Sequence, residues 1–344
     1  MTTAETPEEL MVPEPQEDLW DYDAVQPGQD GAPTVVALTA EHIAAYARVA
    51  QNPDPRFHAS AANDEYGGVL VAMPTMVLTY APLLRDEIAE RQGFVALEES
   101  RTARRQTPFA KCEIRWFHAV CAGDTLTGTR RVLEKYERRG SRFVTFRVEA
   151  SNQRGEHVAR YDYTCIFSYA KGQRDVPRDQ GTAQPLVLDA GTATPSNLGR
   201  RLAFDALAVG DPLAPMTVSE SQEIMLRKNR LRLAGKPKPS NIHTDETFAR
   251  QNIFAGMVNS GPATLSYVDQ MLERSFPLRA FYDGGRLLMR AITPFRAGDT
   301  VTFAGEVAGK RLENGSKVVD CRVRGINQRG ELVCLCDATM MLPA

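Results

Sequence analysis

The sequence predicts an α+β fold containing two copies of one unit, each an antiparallel sheet wrapped around a long central helix. The first observation is an internal repeat: Gly123-Asp124-Thr125-Leu126-Thr127 recurs as Gly298-Asp299-Thr300-Val301-Thr302. Asn152-Gln153-Arg154-Gly155-Glu156 recurs as Asn327-Gln328-Arg329-Gly330-Glu331, with the same spacing and no gap between the two matches. A repeat held in register over such a length indicates a duplicated structural unit.

The second observation is that each copy has the same order of elements. A short helix, capped by Thr39 in copy one and by Ser219 in copy two, precedes a loop that carries one His. A longer apolar helix follows, from Pro74 to about Glu90 in copy one and from Gly261 to about Arg274 in copy two. A run of strands ends each copy. In copy two we expect these strands at 285–293, 299–311, 316–326 and 331–342. One helix followed by an antiparallel sheet forms an α+β unit.

The third observation is the alternation within these strands. Val319, Cys321 and Val323 share one face of a strand, while charged residues occupy the positions between them. Asn314-Gly315 has the composition of a tight hairpin turn. A single unit would leave a sheet edge open, and two fused units can join their edges into one sheet.

The domain boundaries follow from the repeat and from composition. We expect a disordered acidic tail over 1–19, an N-terminal domain over 20–170, a linker over 171–195 and a C-terminal domain over 196–344. The first segment is acidic and Pro-rich, and the linker is rich in Gly, Gln, Asp, Thr and Pro.

Composition excludes several classes of function. Hydrophobic residues make up 43% and charged residues 24% of the chain, and the formal net charge is −2. These values predict a globular protein without nucleic acid or membrane as partner, because no basic excess and no spanning apolar run is present. The start lacks the features of a secretion signal, so we expect a cytoplasmic location. The six cysteines form no C-x-x-C pair, which predicts buried reduced thiols and no zinc site.

The stretch 236–271 carries the clearest functional pattern. It contains Asn241-Ile242-His243-Thr244-Asp245, a short predicted helix, and then Ser260-Gly261-Pro262 at the start of the longer helix. Unpaired N–H groups at such a helix start can hold a developing oxyanion, and a nearby His can carry a proton. Together with the Gly-Asp-Thr turns, this segment resembles the MaoC-like family of (R)-specific enoyl-CoA hydratases and dehydratases. The resemblance covers about residues 20–343 and implies a double hotdog, two fused hotdog domains.

The resemblance also implies a site. Active members place an Asp five residues before the His in a D-x-N-P-x-H pattern, and a backbone N–H at the helix start polarises the thioester carbonyl. Carried onto copy two, His243 is the acid and base, and Gly261 supplies the N–H. Lys238 stands where the acid would be, and Ser240 stands where the Asn would be. These four residues are the first-choice catalytic candidates. Each residue also has a structural alternative. His243 could be a loop residue with a structural hydrogen bond, and Gly261 could be a glycine that close packing requires.

Copy one departs further from the pattern. His58 is present, and with one extra loop residue Asn52 takes the place of the acid and Asp54 that of the Asn. Its helix starts at Met73-Pro74, where an active half has Gly. Copy one therefore resembles a decoy half that enlarges the acyl tunnel, and its three residues are second-choice catalytic candidates.

We therefore predict that the protein is a lyase that hydrates a 2-enoyl-CoA or dehydrates a (3R)-3-hydroxyacyl thioester. The resemblance implies no metal or redox cofactor, and CoA or an acyl carrier is part of the substrate. We expect a monomer or a homodimer. The resemblance extends to mesaconyl-CoA-type hydratases, which keeps short dicarboxylic acyl-CoAs open as substrates. Lys238 could be a solvated loop residue, could bind the second carboxylate of such a substrate, or could carry a proton if burial lowers its pKa. Basic residues of the 101–115 region could meet CoA phosphates or line a solvated loop; they are Arg101, Arg104, Arg105, Lys111 and Arg115.

Two other classes of function fit the missing acid. The protein could bind acyl thioesters or a partner enzyme without turnover. Alternatively, its pocket could have been recruited to cyclise or isomerise a specialised metabolite.

Overall fold

The computed structural model of the protein describes residues 17–170, 203–238 and 240–342. The predicted linker over 171–195 and most of the predicted tail lie outside the described residues. The expectation of a disordered tail up to residue 19 is wrong at its end. Glu17 accepts a hydrogen bond from the Ser100 hydroxyl at 2.7 Å, and strand β1 (Leu19–Trp20) pairs in parallel with strand β3 (Val95–Ala96). The buried Trp20 ring anchors this segment against Phe146 and Phe167.

A ten-stranded sheet spans both halves, in the order β2-β5-β6-β7-β4-β9-β12-β11-β10-β8. Copy one contributes β2 (Thr34–Ala37), β4 (Phe109–Trp116), β5 (Thr125–Arg138), β6 (Ser141–Ser151) and β7 (His157–Ser168). Copy two contributes β8 (Met216–Ser219), β9 (Arg286–Ala291), β10 (Thr300–Glu313), β11 (Ser316–Asn327) and β12 (Leu332–Leu342). The halves join where β4 pairs antiparallel with β9, from Lys111 opposite Arg290 to Arg115 opposite Arg286. Each half thereby covers the edge that the other would leave open.

The repeated residues make equivalent hydrogen bonds in both halves. Gln153 accepts from the backbone N–H of Thr125, and Gln328 accepts from that of Thr300, each at 2.9 Å. In the adjoining turn of each half, the Asn side chain donates to the Glu four residues later. The duplicated sequence therefore encodes a duplicated turn geometry.

The strand predictions for copy two are confirmed to within three residues at each end. Val319, Cys321 and Val323 are buried, while Arg322 and Arg324, at alternate positions of the same strand, are exposed. Asn314 and Gly315 both have positive φ, as a tight turn between β10 and β11 requires. All six cysteines are free thiols.

The first helix of each half has a side-chain cap. Thr39 caps α1 (Ala40–Val49), as predicted. In copy two the cap of α4 (Gln222–Arg230) is Ser221, whose hydroxyl accepts from the Ile224 N–H, and not Ser219. Ser219 instead ends β8, because the alternating buried pattern of that edge strand continues to it.

The long helix was predicted correctly in copy two and incorrectly in copy one. Copy two has α6 (Gly261–Glu273), which is buried almost throughout its length and preceded by the short α5 (Glu246–Arg250). In copy one the predicted helix from Pro74 to Glu90 is interrupted. It consists of a 3₁₀ turn over Pro74–Met76, α2 (Val77–Tyr80) and α3 (Arg85–Arg91). Pro82 lies in the break, and a proline disfavours helical φ and ψ at the residue before it, here Ala81.

The sheet wraps these helices around one continuous apolar core that includes residues of both halves. After α6 comes α7 (Arg279–Tyr282), which packs against β12. The predicted α+β fold, with an antiparallel sheet wrapped around helices in each half, is confirmed, and the central helix is continuous in copy two. No helix within the described ranges is long and apolar enough to cross a bilayer.

Candidate active site

The loop before α5 holds His243 in a fixed orientation. The Asn241 side chain accepts from the His243 backbone N–H at 2.7 Å, which closes a tight turn. The His243 Nδ1 atom lies 2.8 Å from the carbonyl oxygen of Val258. A carbonyl oxygen can only accept, so Nδ1 carries the proton of the neutral ring and Nε2 presents its lone pair. Within the described part of the chain, Nε2 has no hydrogen-bond partner.

The environment of His243 favours the neutral imidazole. Loss of hydration lowers the pKa of His243 to about 4, and the nearby Arg85 guanidinium acts in the same direction. The hydrogen bond to Val258 opposes this shift only in part. The His243 ring is therefore neutral at neutral pH, with the lone pair of Nε2 available to accept a proton.

The start of α6 lies beside His243. Ser260 caps this helix through its hydroxyl, which accepts from the Ala263 N–H, and Gly261 is the first helical residue. Among the described residues, the Gly261 N–H has no acceptor. A Cβ atom on Gly261 would lie 2.4 Å from Cγ of Phe109, so the glycine is also required by packing. The structure therefore shows the close packing that was the alternative for Gly261. It also leaves the N–H unpaired within the described chain, which the predicted oxyanion role requires.

An apolar cavity of about 510 Å³ opens on one side of His243 and Gly261. Side chains of both halves form its wall, among them Phe109, Phe143, Ile166, Ile253, Phe254, Phe295 and Val333. The one permanently charged residue that lines it in the described chain is Arg85, which is ion-paired with Glu98 at 3.0 Å. The cavity therefore suits an uncharged hydrocarbon group.

A more polar cavity of about 570 Å³ lies on the other side of His243. Its wall contains five basic and two acidic residues; they are Arg85, Arg104, Lys228, Arg232 and Lys238, with Glu98 and Glu99. Ser260 and Pro262, which flank Gly261, also line it. His243 and three residues of copy one, Arg85, Gln106 and Tyr163, line both cavities. The two cavities therefore meet at His243, next to the start of α6.

Lys238 and Ser240, the other two first-choice candidates, are engaged elsewhere. The Lys238 ammonium is 2.7 Å from a carboxylate oxygen of the buried Asp86 in copy one. The Ser240 hydroxyl donates to Asp245 at 2.6 Å, and Asp245 caps α5 by accepting from the Phe248 N–H. These contacts favour structural roles, in joining the halves and in shaping the His loop.

The candidates of copy one also have structural partners. The Asp54 carboxylate caps the turn Pro55–Phe57 and forms an ion pair with Arg56 at 2.6 Å. The Asn52 amide donates to Glu273 at 3.1 Å. His58 is exposed, and its Nε2 lies 2.8 Å from the Asn52 carbonyl oxygen. The structure does not bring these residues to the two cavities of copy two.

The helix start of copy one is closed by a carboxylate of copy two. Pro74 has no N–H to offer, and the N–H and hydroxyl of Thr75 both donate to Asp269, at 2.9 and 2.6 Å. Asp269 lies one helical turn before Glu273 on α6, and both are buried. Burial raises the pKa of both carboxyl groups, and for Glu273 the charge of Asp269 adds to the effect.

Sequence reasoning missed the residues that copy one contributes to the site of copy two. Arg85 and Gln106 lie far from His243 in sequence and share no motif with it. It also missed a buried group beside the polar cavity, in which Lys228 contacts Glu220 at 2.7 Å and the Tyr267 hydroxyl. Loss of hydration lowers the pKa of Lys228 to about 8. Glu220 occupies the position that the apolar Leu38 has in copy one, since each N–H donates to the carbonyl oxygen of the Asp in its Gly-Asp-Thr turn. The available signal was this charged residue at a position where the other copy is apolar.

Comparisons with known proteins agree with this architecture. Residues 26–161 match a family model described as FAS1-like, dehydratase domain region, and residues 237–328 match the MaoC-like domain. A search of curated protein sequences finds no match. One half of the chain thus matches a dehydratase region and the other half matches the MaoC-like domain, which is consistent with a fused protein of the MaoC-like type.

Solved structures similar to this chain support the fold. One is a MaoC-like dehydratase with 18% identity and a TM-score of 0.66, covering 92% of this chain and 98% of the other. Another is a MaoC domain protein from Chloroflexus aurantiacus J-10-fl, described as a dehydratase, with 15% identity and a TM-score of 0.65 over 94% and 97% of the two chains. A conserved hypothetical protein from Mycobacterium tuberculosis with a double hotdog fold has 13% identity and a TM-score of 0.57, over 93% and 98%. These likenesses support the fold, while the match of residues 237–328 to the MaoC-like domain supports the expected hydratase or dehydratase class in general terms.

Proposed function

We propose that the protein is a hydro-lyase that adds water to a 2-enoyl thioester or removes it from a 3-hydroxyacyl thioester. The observation that carries this proposal is the meeting of an apolar and a polar cavity at His243, beside the start of α6. In this arrangement the acyl chain occupies the apolar cavity, and the CoA or carrier arm follows the polar one. The thioester group then lies next to the Gly261 N–H.

The proposed chemistry uses one proton carrier. In the dehydration direction, His243 Nε2 takes the proton from C2, and the negative charge moves to the thioester oxygen at the Gly261 N–H. The C3–O bond then breaks, and the same proton passes from Nε2 to the departing hydroxyl, which leaves as water. Hydration is the reverse. A single base on one face of the substrate can perform both transfers, so the Asp of the family pattern is not required for a balanced reaction.

In this proposal the reacting hydroxyl contacts two side chains, His243 and Gln106. Its side chain comes from copy one, lines both cavities, and has a buried Oε1 atom without a partner in the described chain. An amide oxygen can accept a hydrogen bond from the water or hydroxyl, although it cannot exchange the proton. The amide thus orients the group that His243 protonates.

The cavity also indicates the substrate class. The one charged residue of the described cavity wall, Arg85, is already paired with Glu98. Such a wall favours a neutral hydrocarbon acyl group over a dicarboxylic one, since a second carboxylate would lose its hydration there without a free cation. Lys238, the residue considered for that carboxylate, lines the polar cavity and is paired with Asp86.

The test is turnover of a panel of 2-enoyl-CoAs by the purified full chain. The panel contains crotonyl-CoA, longer linear enoyl-CoAs and mesaconyl-CoA, and hydration is followed as loss of the conjugated enoyl absorbance. We expect turnover of the neutral substrates and a fall of about 10²–10⁴-fold in kcat for His243→Ala, the usual contribution of a general acid–base group. Tight binding without turnover would instead support a thioester-binding protein.

A further inference from the structure

Asn259 lies between the two residues that define the proposed site. Val258 before it holds His243 through its carbonyl oxygen, and Ser260 after it caps α6. The Asn259 side chain lines the apolar cavity and the residue is only 8% exposed. Its Nδ2 group is buried and has no hydrogen-bond partner within the described residues. An amide donor left unbonded in a buried cavity wall is rare, which points to a partner that arrives with a ligand.

The orientation of this amide follows from its other contacts. The Oδ1 atom accepts from the Ser260 N–H at 3.1 Å, so the unbonded group is the NH₂ and not the oxygen. The backbone is held on both sides: the Asn259 N–H donates to the Phe295 carbonyl at 2.6 Å, and the Val258 N–H donates to the Ile242 carbonyl at 3.2 Å. The donor is therefore fixed in place before substrate binds.

We propose that Asn259 Nδ2 donates a second hydrogen bond to the thioester oxygen, together with the Gly261 N–H. This inference rests on the proposed function. Two preorganised donors stabilise the enolate better than one, because both are aimed at the atom where negative charge develops. Asn259 exchanges no proton, so His243 remains the proton carrier and the balance of the reaction is unchanged.

The test compares Asn259→Ala with Asn259→Asp. The Asp variant keeps an acceptor for the Ser260 N–H and removes the NH₂ donor, so it separates the donor role from the capping role. Both variants should lower kcat by about 10²–10³-fold at neutral pH, as loss of one oxyanion donor does elsewhere, with a smaller change in KM. The Asp variant should regain rate as the pH falls through its raised pKa, because a protonated carboxyl can donate.

A spectroscopic measurement keeps the two proposals distinguishable. Bound cinnamoyl-CoA absorbs at longer wavelength when its carbonyl is polarised, so we expect a red shift in the wild-type protein that both Asn259 variants lose. Wild-type turnover with unchanged kcat and unchanged red shift in the variants would overturn the role of Asn259 alone. A red shift that depends on Asn259, without turnover of any enoyl-CoA, would overturn the hydro-lyase proposal and support the donor. Absence of thioester binding would overturn both.

Discussion

The two equivalent helix starts of this duplicated protein differ in whether their N–H groups already have a partner. In copy two, the Gly261 N–H has no acceptor among the described residues and lies where two cavities meet. In copy one, the N–H and hydroxyl of Thr75 bind the Asp269 carboxylate of the other half. The second half thus supplies an internal anion to the first, in the place where a substrate oxyanion would otherwise bind. Duplication of the fold did not duplicate the open site.

The first prediction tests this difference directly by comparing Gly261→Ala with Thr75→Ala. A Cβ atom on residue 261 would overlap the Phe109 ring, so the helix start or the ring must move. We expect kcat to fall by about 10²-fold, because small misplacements of catalytic groups cost that much. The free energy of unfolding should also fall by about 1–3 kcal/mol.

Thr75→Ala is the matched control for that prediction. It removes a buried hydroxyl from Asp269 and should destabilise the fold by about 1 kcal/mol without changing kcat. Turnover and urea denaturation are measured for both variants. A loss of kcat in Thr75→Ala equal to that in Gly261→Ala would contradict the assignment of the open half.

The second prediction concerns the pH dependence of kcat/KM. Because burial lowers the pKa of His243 to about 4, its active neutral form persists in mild acid. The sign is that of a base: activity is full above the lowered pKa and is lost as pH falls through it. At pH 5.5 the rate should be about tenfold higher than that of an enzyme whose essential His has the ordinary pKa near 6.5. A kcat/KM profile with its midpoint near pH 6.5, measured while circular dichroism shows an intact fold, would refute the lowered pKa of His243.

The third prediction concerns the carboxyl pair that closes copy one. The pKa values of Asp269 and Glu273 are raised by burial, and Arg56 nearby compensates their charge only in part. Groups with raised pKa stabilise the fold fully below their ordinary range near pH 4, and this stabilisation is lost as pH rises through the folded-state values.

In the wild-type protein the free energy of unfolding should therefore fall as the pH rises from 5 to 8. In Glu273→Gln this fall should be smaller. The amide oxygen can still accept from the Asn52 amide, and its NH₂ can donate towards Asp269 as a protonated carboxyl would. Glu246→Gln, at a side chain that is 44% exposed and paired with Arg250, is the control and should leave the slope unchanged. Denaturant unfolding at several pH values provides the measurement, and equal slopes for wild type and Glu273→Gln would disprove the account of the pair.

The smallest effect is expected for Lys238→Met. Loss of the contact with Asp86 leaves a buried carboxylate with less compensation and should cost about 1 kcal/mol of stability. The ratio of kcat/KM between neutral and dicarboxylic enoyl-CoAs should not change, because Lys238 lies outside the apolar cavity. A shift of that ratio towards neutral substrates would show that Lys238 binds a second carboxylate.

The repeated turns and the strand alternation made the fold predictable, because both are local properties of the sequence. The interruption of the copy-one helix at Pro82 was visible as a proline, but the apolar pattern on both sides concealed it. His243 and Gly261 were predicted from local pattern, and the structure places both in the wall of the same cavity; their catalytic roles stay a prediction. Gln106 and Arg85 were not, since they reach the site only through the pairing of β4 with β9 and the packing of one half on the other. Asn259 could be recognised only after the contacts around its amide were known.

The most direct test of the open-half assignment is a crystal structure of the His243→Ala variant with a bound 2-enoyl-CoA. We predict that the thioester oxygen lies about 2.7–3.1 Å from the Gly261 nitrogen, with the acyl chain in the cavity lined by Phe254 and Phe295. A thioester bound instead at Thr75, with the Asp269 carboxylate displaced, would show that copy one is the reactive half and would contradict the account.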